Sequence, residues 1–335
     1  MNYTLAAIVA LLVLVALAVF CLVMFGTAQP PRPLSSVTNP FAAMDASGLP
    51  ALERYRARDG AELSDRHYPA SSNQAAVLIH GSAGSSSDMH AMAKALQASG
   101  ITVYAPDLRG HGENYPHGDV AYTGQLDDDM DDFLHFLKPR HPGSQWTLVG
   151  FSSGGGFALR IAASPLGGSF DRYLLLSPFL RYNAPTVRGA APSPGAPNAH
   201  ETPVWSTVST GRILGLLALG AVGIHRLDGL SVIYFAVPPD VQSVTPSYSW
   251  RLQQSFQPHD DFMADIRSVT MPMQVFVGAD DQLFVPEKFK EVFDANRNGI
   301  PVTILPGLGH SDMATSPAAI HAVVMTFQQH QEAGR

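Results

Sequence analysis

The run Gly150-Phe151-Ser152-Ser153-Gly154 follows the apolar segment Trp146 to Val149 and leads directly into Gly155-Gly156-Phe157-Ala158-Leu159. A buried strand that turns into a helix within a residue or two holds the residue at the bend in strained backbone geometry. The helix then crosses so close to the strand that only small residues fit two positions to either side. Gly150 and Gly154 meet that demand. The pattern alone carries little weight in a chain with 29 glycines. With a strand before it and a helix after it, it becomes a candidate nucleophile elbow that lifts the Ser152 hydroxyl above the sheet edge.

The surrounding segments alternate between strand-like and helix-like. The spacing predicts Ala76 to Ile79 followed by a helix over Met89 to Gln97, Ile101 to Ala105 followed by Gln125 to Leu137, and Trp146 to Val149 followed by Gly154 to Ala163. Arg172 to Leu176 is the next strand, and Met273 to Val277, a helix near Glu287 to Ala295, Val302 to Leu305 and a helix from Pro317 to about His330 complete the series. This rhythm predicts an α/β fold, a mostly parallel sheet with helices on both faces. It is interrupted at about 179–270 by the Pro/Ala/Gly-rich stretch Asn183 to Pro197 and the very apolar segment Ile213 to Ile224. An insertion there reads as a lid. Ile213 to Ile224 is too short to span a bilayer comfortably, so it reads as a buried cap helix, or else as a surface that dips into the membrane or lines an acyl pocket.

Leu5 to Phe25 carries no charge and no proline, and at 1.5 Å per residue it can cross roughly 30 Å of hydrocarbon. It reads as a transmembrane helix. A cleavable signal peptide is the competing reading, with Gly26 and Ala28 as small residues at a cleavage site, but no basic segment precedes the apolar run and the run exceeds the usual length. The domain division expected is a membrane anchor over 1–28, a Pro-rich linker over 29–50 and a single domain over 51–335 containing the insertion. Few basic residues flank the apolar run, so the side of the membrane is not encoded. A net charge of −7 with no Lys/Arg run excludes a nucleic-acid-binding field. The single cysteine, Cys21, falls in the apolar run, which leaves the domain without disulfides or Cys-based metal sites.

A serine hydroxyl attacks only when a base takes its proton, and that base works best when a carboxylate orients it. His310, in Gly307-Leu308-Gly309-His310-Ser311, follows the last predicted strand and completes the chain order serine, acid, histidine. Asp280 and Asp281 both end the strand Met273 to Val277. Either could orient the imidazole, the other serving as a turn residue. The loop His80-Gly81-Ser82-Ala83-Gly84 follows the third strand, which assigns the Ser82 and Ser153 N–H groups as donors to a developing oxyanion. No nucleotide-binding glycine motif and no His-x-x-x-His or Cys cluster is present, so neither a cofactor nor a metal is expected.

Taken together, His80-Gly81, Asp107-Leu108-Arg109-Gly110-His111-Gly112, Gly150-x-Ser152-x-Gly154, Gly278-x-x-Asp281 and Gly309-His310 resemble the α/β-hydrolase superfamily, and within it the monoacylglycerol lipase and lysophospholipase-like branch. The resemblance covers about residues 52–330. It implies a helical cap after the sixth strand, Asp281 as the triad acid, and a structural turn at Asp107 to Gly112 in which Arg109 and His111 are not catalytic. It also implies a serine hydrolase acting on a small-molecule or lipid ester; the N-terminal helix, which is not part of the family's core pattern, is expected from the apolar run itself to hold that domain at the membrane. A peptidase, amidase or acyltransferase on the same scaffold, or a membrane-tethered binding protein of the same fold, are the alternatives.

Overall fold

The structure is a computed structural model and describes residues 3–188, 204–238, 241 and 244–333, with side chains through 329. The latter part of Asn183 to Pro197 lies outside the described residues. The elements are α1 Tyr3–Phe25, α2 Ser35–Ala42, β1 Leu52–Arg56, β2 Glu62–Tyr68, β3 Gln74–Ile79, α3 His90–Ala98, β4 Thr102–Pro106, α4 Gln125–Leu137, β5 Gln145–Phe151, α5 Ser153–Ala162 and β6 Arg172–Leu176. An insertion follows with β7 Ser206–Val208, α6 Thr210–Gly220, β8 Ser231–Phe235, β9 Ser247–Ser249, α7 Trp250–Ser255 and α8 Phe262–Ser268. The chain then returns to the main sheet through β10 Met273–Gly278, α9 Pro286–Asn296, β11 Val302–Leu305, α10 Asp312–Thr315 and α11 Pro317–Ala333.

The eight strands of the main sheet run in the order β1-β2-β4-β3-β5-β6-β10-β11. Antiparallel pairing is confined to β1 with β2 and β2 with β4; the remaining pairs are parallel. Parallel strands covered on both faces must be apolar on both, and β3 is buried at every position. Its alternate side chains enter different layers. Val77 and Ile79 join Leu148, Phe133 of α4 and Phe157 of α5, whereas Ala76 and Leu78 join Met92 and Leu96 of α3 and Phe327 of α11. Register sets what meets at the sheet's C-terminal edge. Ile79 pairs with Gly150, Phe151 with Leu176, Phe276 with Leu176 and Gly278 with Leu305. The loops after β3, β5, β10 and β11 therefore leave the sheet side by side.

The insertion lies between the sixth and seventh strands of this sheet. It contains helices and also the three-stranded antiparallel sheet β7-β8-β9, whose short outer strands leave no readable alternation in the sequence. The expectation that Ile213 to Ile224 is a buried cap helix fails. In α6 only Gly215 and Leu216 are buried, while Leu214 and Leu217 are 54% and 50% exposed.

The linker reading also needs correction. Prolines do punctuate residues 29–50, yet Ser35–Ala42 folds as α2 with Pro40 inside it. Pro40 costs a helical hydrogen bond, and tertiary packing offsets the loss. Val37 is buried, Phe41 lies against Phe151 with ring centroids 5.9 Å apart, and the Leu34 N–H donates to the Ala236 carbonyl at 2.9 Å. Helix α1, by contrast, is exposed along nearly its whole length and is long and apolar enough to cross a membrane.

Candidate active site

Ser152 sits between β5 and α5 with φ 54° and ψ −118°, backbone that an L residue adopts only under strain. The two flanking glycines explain how the bend is tolerated. A Cβ on Gly150 would come 2.1 Å from the Gly154 carbonyl oxygen, and one on Gly154 would come 2.4 Å from the His80 carbonyl oxygen. Strand, loop and helix approach too closely for any side chain at those positions. A Cβ on Gly81 would likewise lie 3.3 Å from Ser152 Cβ, so the loop after β3 abuts the serine.

The structure brings the three residues expected from sequence into one line. His310 Nε2 lies 3.0 Å from Ser152 Oγ, and His310 Nδ1 lies 2.9 Å from Asp281 Oδ2. An ionised carboxylate can only accept, so the Nδ1 proton points at Asp281 and the Nε2 lone pair faces the serine hydroxyl. The other carboxylate oxygen, Asp281 Oδ1, accepts the N–H groups of Leu283 and Phe284, both at 2.9 Å. Burial pushes the Asp281 carboxyl up, but the adjacent His310 and these hydrogen bonds more than offset it and hold the group below the usual carboxylate value. Asp280 is exposed. Of the two aspartates, Asp281 is the one whose carboxylate reaches the His310 imidazole. Phe151 and Phe284 pack against the imidazole with centroids 5.0 Å away in each case, and the Gln282 side chain accepts the His310 N–H at 2.9 Å.

Ser153 follows Ser152 and Ser82 lies in the loop that abuts it, and among the described residues neither N–H is taken by an acceptor within the protein. The loop carrying Ser82 is held from two sides. From below, His80 donates from Nδ1 to the Gly81 carbonyl at 2.8 Å and accepts the Leu108 N–H at Nε2 at 3.2 Å. Burial pushes this imidazole below the ordinary histidine value, which suits its neutral tautomer. From above, the cap supplies three contacts. Trp205 Nε1 donates to Ser82 Oγ at 3.1 Å, the Thr245 N–H donates to the Ala83 carbonyl at 2.9 Å, and the Ala83 N–H donates to the Tyr248 hydroxyl at 2.8 Å. Tyr248 in turn lies 2.6 Å from His111 Nε2. Sequence reasoning missed Trp205 and Tyr248, since no spacing rule connects a cap residue to a loop more than a hundred positions earlier.

Arg109 and His111 hold structural positions. Arg109 forks onto Asp129 at 2.8 and 2.7 Å, and burial pushes His111 well below its ordinary value, with the neighbouring His80 adding to the effect. Among the described residues no group of three or more His, Cys, Asp or Glu is placed to hold a metal ion. A surface groove of about 1080 Å³ between α2, α3 and α11 is lined by none of Ser152, Asp281 and His310. Ser152 and His310 themselves are almost wholly covered.

Residues 70–207 match a protein family described as serine aminopeptidase, S33. That span includes Ser82, Ser152 and Ser153. A monoacylglycerol lipase from Mycolicibacterium smegmatis is 29% identical over 159 residues, 47% of this chain and 49% of that protein. The chain spans about half or less of the length of the curated relatives it matches. Among solved structures, a soluble variant of the Saccharomyces cerevisiae monoglyceride lipase superimposes with a TM-score of 0.61 at 17% identity, covering 84% of this chain and 95% of that one. A bacterial membrane phospholipase A superimposes with a TM-score of 0.55 at 17% identity over 98% of both chains. At such identities these structures establish the fold alone.

Proposed function

We propose that this chain, which has the α/β-hydrolase fold and resembles its monoacylglycerol lipase-like branch, is a membrane-anchored serine hydrolase that cleaves carboxylic esters of acyl chains. The observation that carries the reading is the continuous relay from Ser152 through His310 to Asp281, at 3.0 and 2.9 Å. In this reading His310 Nε2 takes the Ser152 proton as Oγ attacks the ester carbonyl carbon. The N–H groups of Ser82 and Ser153 receive the oxyanion. Collapse of the tetrahedral intermediate expels the alcohol, which leaves with the proton from Nε2, and an acyl-serine remains. Water attacks that ester with His310 again as base, which releases the acid and restores the hydroxyl. Asp281 stays ionised throughout, fixing the imidazole tautomer and offsetting its charge.

The preference for acyl chains has physical support. Each buried methylene contributes about 0.8 kcal/mol, and a domain held at a bilayer by α1 meets lipid-derived esters at high local concentration. The M. smegmatis and S. cerevisiae proteins are named as lipases of monoglycerides, which agrees with monoacylglycerol or lysophospholipid-like esters as substrates. The matched family's description favours one rival, an aminopeptidase, because the same triad activates serine without choosing the leaving group. Measuring kcat/KM across p-nitrophenyl esters from acetate to palmitate, alongside aminoacyl p-nitroanilides, separates these readings. The expected profile rises from acetate to medium or long chains, with anilides hydrolysed far more slowly. A steady decline from acetate onward rejects the lipid reading, and anilides turned over faster than esters would establish the peptidase.

A further inference from the structure

The end of α1 is not a free tether. Val23 is buried, and together with Val19 it packs on Ile213, Leu216 and Leu219 of α6. The two helices approach at glycines: a Cβ on Gly215 would come 2.6 Å from a Val23 methyl, and one on Gly26 would come 2.6 Å from the Arg212 nitrogen. Hydrogen bonds lock the junction. Arg212 donates from Nε to the Val23 carbonyl at 2.9 Å and from Nη1 to the Ser231 carbonyl at 2.7 Å, while the Ala28 N–H donates to Ser209 Oγ at 2.9 Å. Anchor and cap are therefore one rigid unit.

That rigidity fixes a depth. Val19 lies six residues before Phe25, the end of the apolar run, which is about 9 Å along the helix at a rise of 1.5 Å per residue. Whatever bilayer α1 spans, a helix packed on Val19 lies level with its outer hydrocarbon and headgroup layers. The face of α6 turned away from α1 is already dressed for that position. Leu214 and Leu217 are about half exposed, and Val222 and Ile224 in the following turn are 71% and 44% exposed. No Asp or Glu occurs from Thr210 to Leu227, where the charged side chains are Arg212 and Arg226. An exposed apolar surface of this kind, free of acidic side chains, with the exposed Arg226 at its end and continuous with a lipid-facing helix, fits the interfacial layer of a membrane.

We infer that α6 and the turn after it lie in the bilayer interface beside α1, so that the cap itself is membrane-embedded and presents the catalytic domain to the lipid surface in one fixed orientation. This rests on the reading of α1 as an anchor, and the test separates the two. The sole cysteine of the chain, Cys21, lies in α1 and is exposed. The full-length protein is reconstituted in phosphatidylcholine/phosphatidylglycerol vesicles and carries one environment-sensitive NBD probe: on Cys21, on L217C in a C21S background, or on K290C in the same background as a water-exposed reference. Reaction of each protein with a fluorophosphonate verifies that it is folded. The expected result is blue-shifted, severalfold brighter emission from positions 21 and 217, quenched by lipids with a doxyl group on the acyl chain, and neither effect at 290. A probe at 21 that stays unquenched overturns the anchor reading and the inference with it. Quenching at 21 but not at 217 overturns the inference alone. Blue-shifted emission at 217 without lipid quenching shows that protein, such as a second copy of the chain, covers α6, and likewise overturns it.

Discussion

The Tyr248 hydroxyl on the cap accepts the Ala83 N–H at 2.8 Å, one residue beyond the N–H assigned to the oxyanion. Ala83 has φ 62°, a conformation that a residue with a side chain keeps only when its surroundings impose it. Tyr248 therefore connects the fold of the cap to the shape of the oxyanion loop. Tyr248→Phe leaves the Ala83 N–H and His111 Nε2 buried without their partner, at a cost of roughly 1–3 kcal/mol. The expected outcome is a kcat lowered about tenfold, as for an interaction made mainly in the transition state, with KM little changed. A variant of wild-type kcat, measured by steady-state ester hydrolysis, would show that the loop keeps its shape without the cap.

The two adjacent aspartates are distinguishable by kinetics. Asp281→Asn should cost on the order of 10⁴ in turnover, because the amide no longer enforces the Nδ1–H tautomer. Asp280→Asn, at an exposed position, should leave turnover within about twofold, as surface substitutions usually do. Reversed effects would assign the orienting role to the wrong carboxylate.

Much of the fold and site was legible in the chain because it depends on local chemistry. The wholly buried strand β3, the glycines around Ser152 and the Gly309-His310 turn each leave a mark that stands out in isolation, and the parallel strands and their helices fall within a residue or three of where periodicity put them. The edge strand β1 and its neighbour β2 were missed, because Glu53, Arg54, Arg56, Glu62, Asp65 and Arg66 dilute the apolar alternation. Helix α2 was missed because its stability comes from packing against Phe151 and the His310 loop rather than from propensity. The exposure of α6 was misjudged for a related reason: an apolar helix reads as core until its neighbours are known.

Asp65 makes stability depend on pH. Neither of its carboxylate oxygens has a hydrogen-bond partner. Burial, together with the charges of Glu53 and Asp107, pushes it from 3.8 up to about 7. A carboxyl raised in the folded state contributes its stability below the unfolded value and loses it as pH rises through the folded one. The loss is on the order of 4 kcal/mol between about pH 4 and pH 8, at ~1.36 kcal/mol per unit. Denaturant titrations across that range should show stability falling in the wild type and a flatter profile in Asp65→Asn. Parallel slopes in the two proteins would contradict this account of Asp65.

Helix α2 predicts where the domain can be cut. Ser311, next to His310, donates its hydroxyl to the Val37 carbonyl at 2.7 Å, so α2 braces the loop that carries His310. The domain from residue 29 should melt several degrees above the domain from residue 51, and should turn over a short soluble ester faster. Equal melting temperatures and equal rates would return α2 to the role of a spacer.

The central claim is that Ser152 is a nucleophile activated by His310. Its most direct test is to react the purified full-length protein with a fluorophosphonate and locate the adduct by peptide mass spectrometry. The account predicts one modified residue, Ser152, complete loss of ester hydrolysis on modification, and no labelling of folded Ser152→Ala or His310→Ala. An adduct on another serine, or ester hydrolysis that survives in Ser152→Ala, would contradict it.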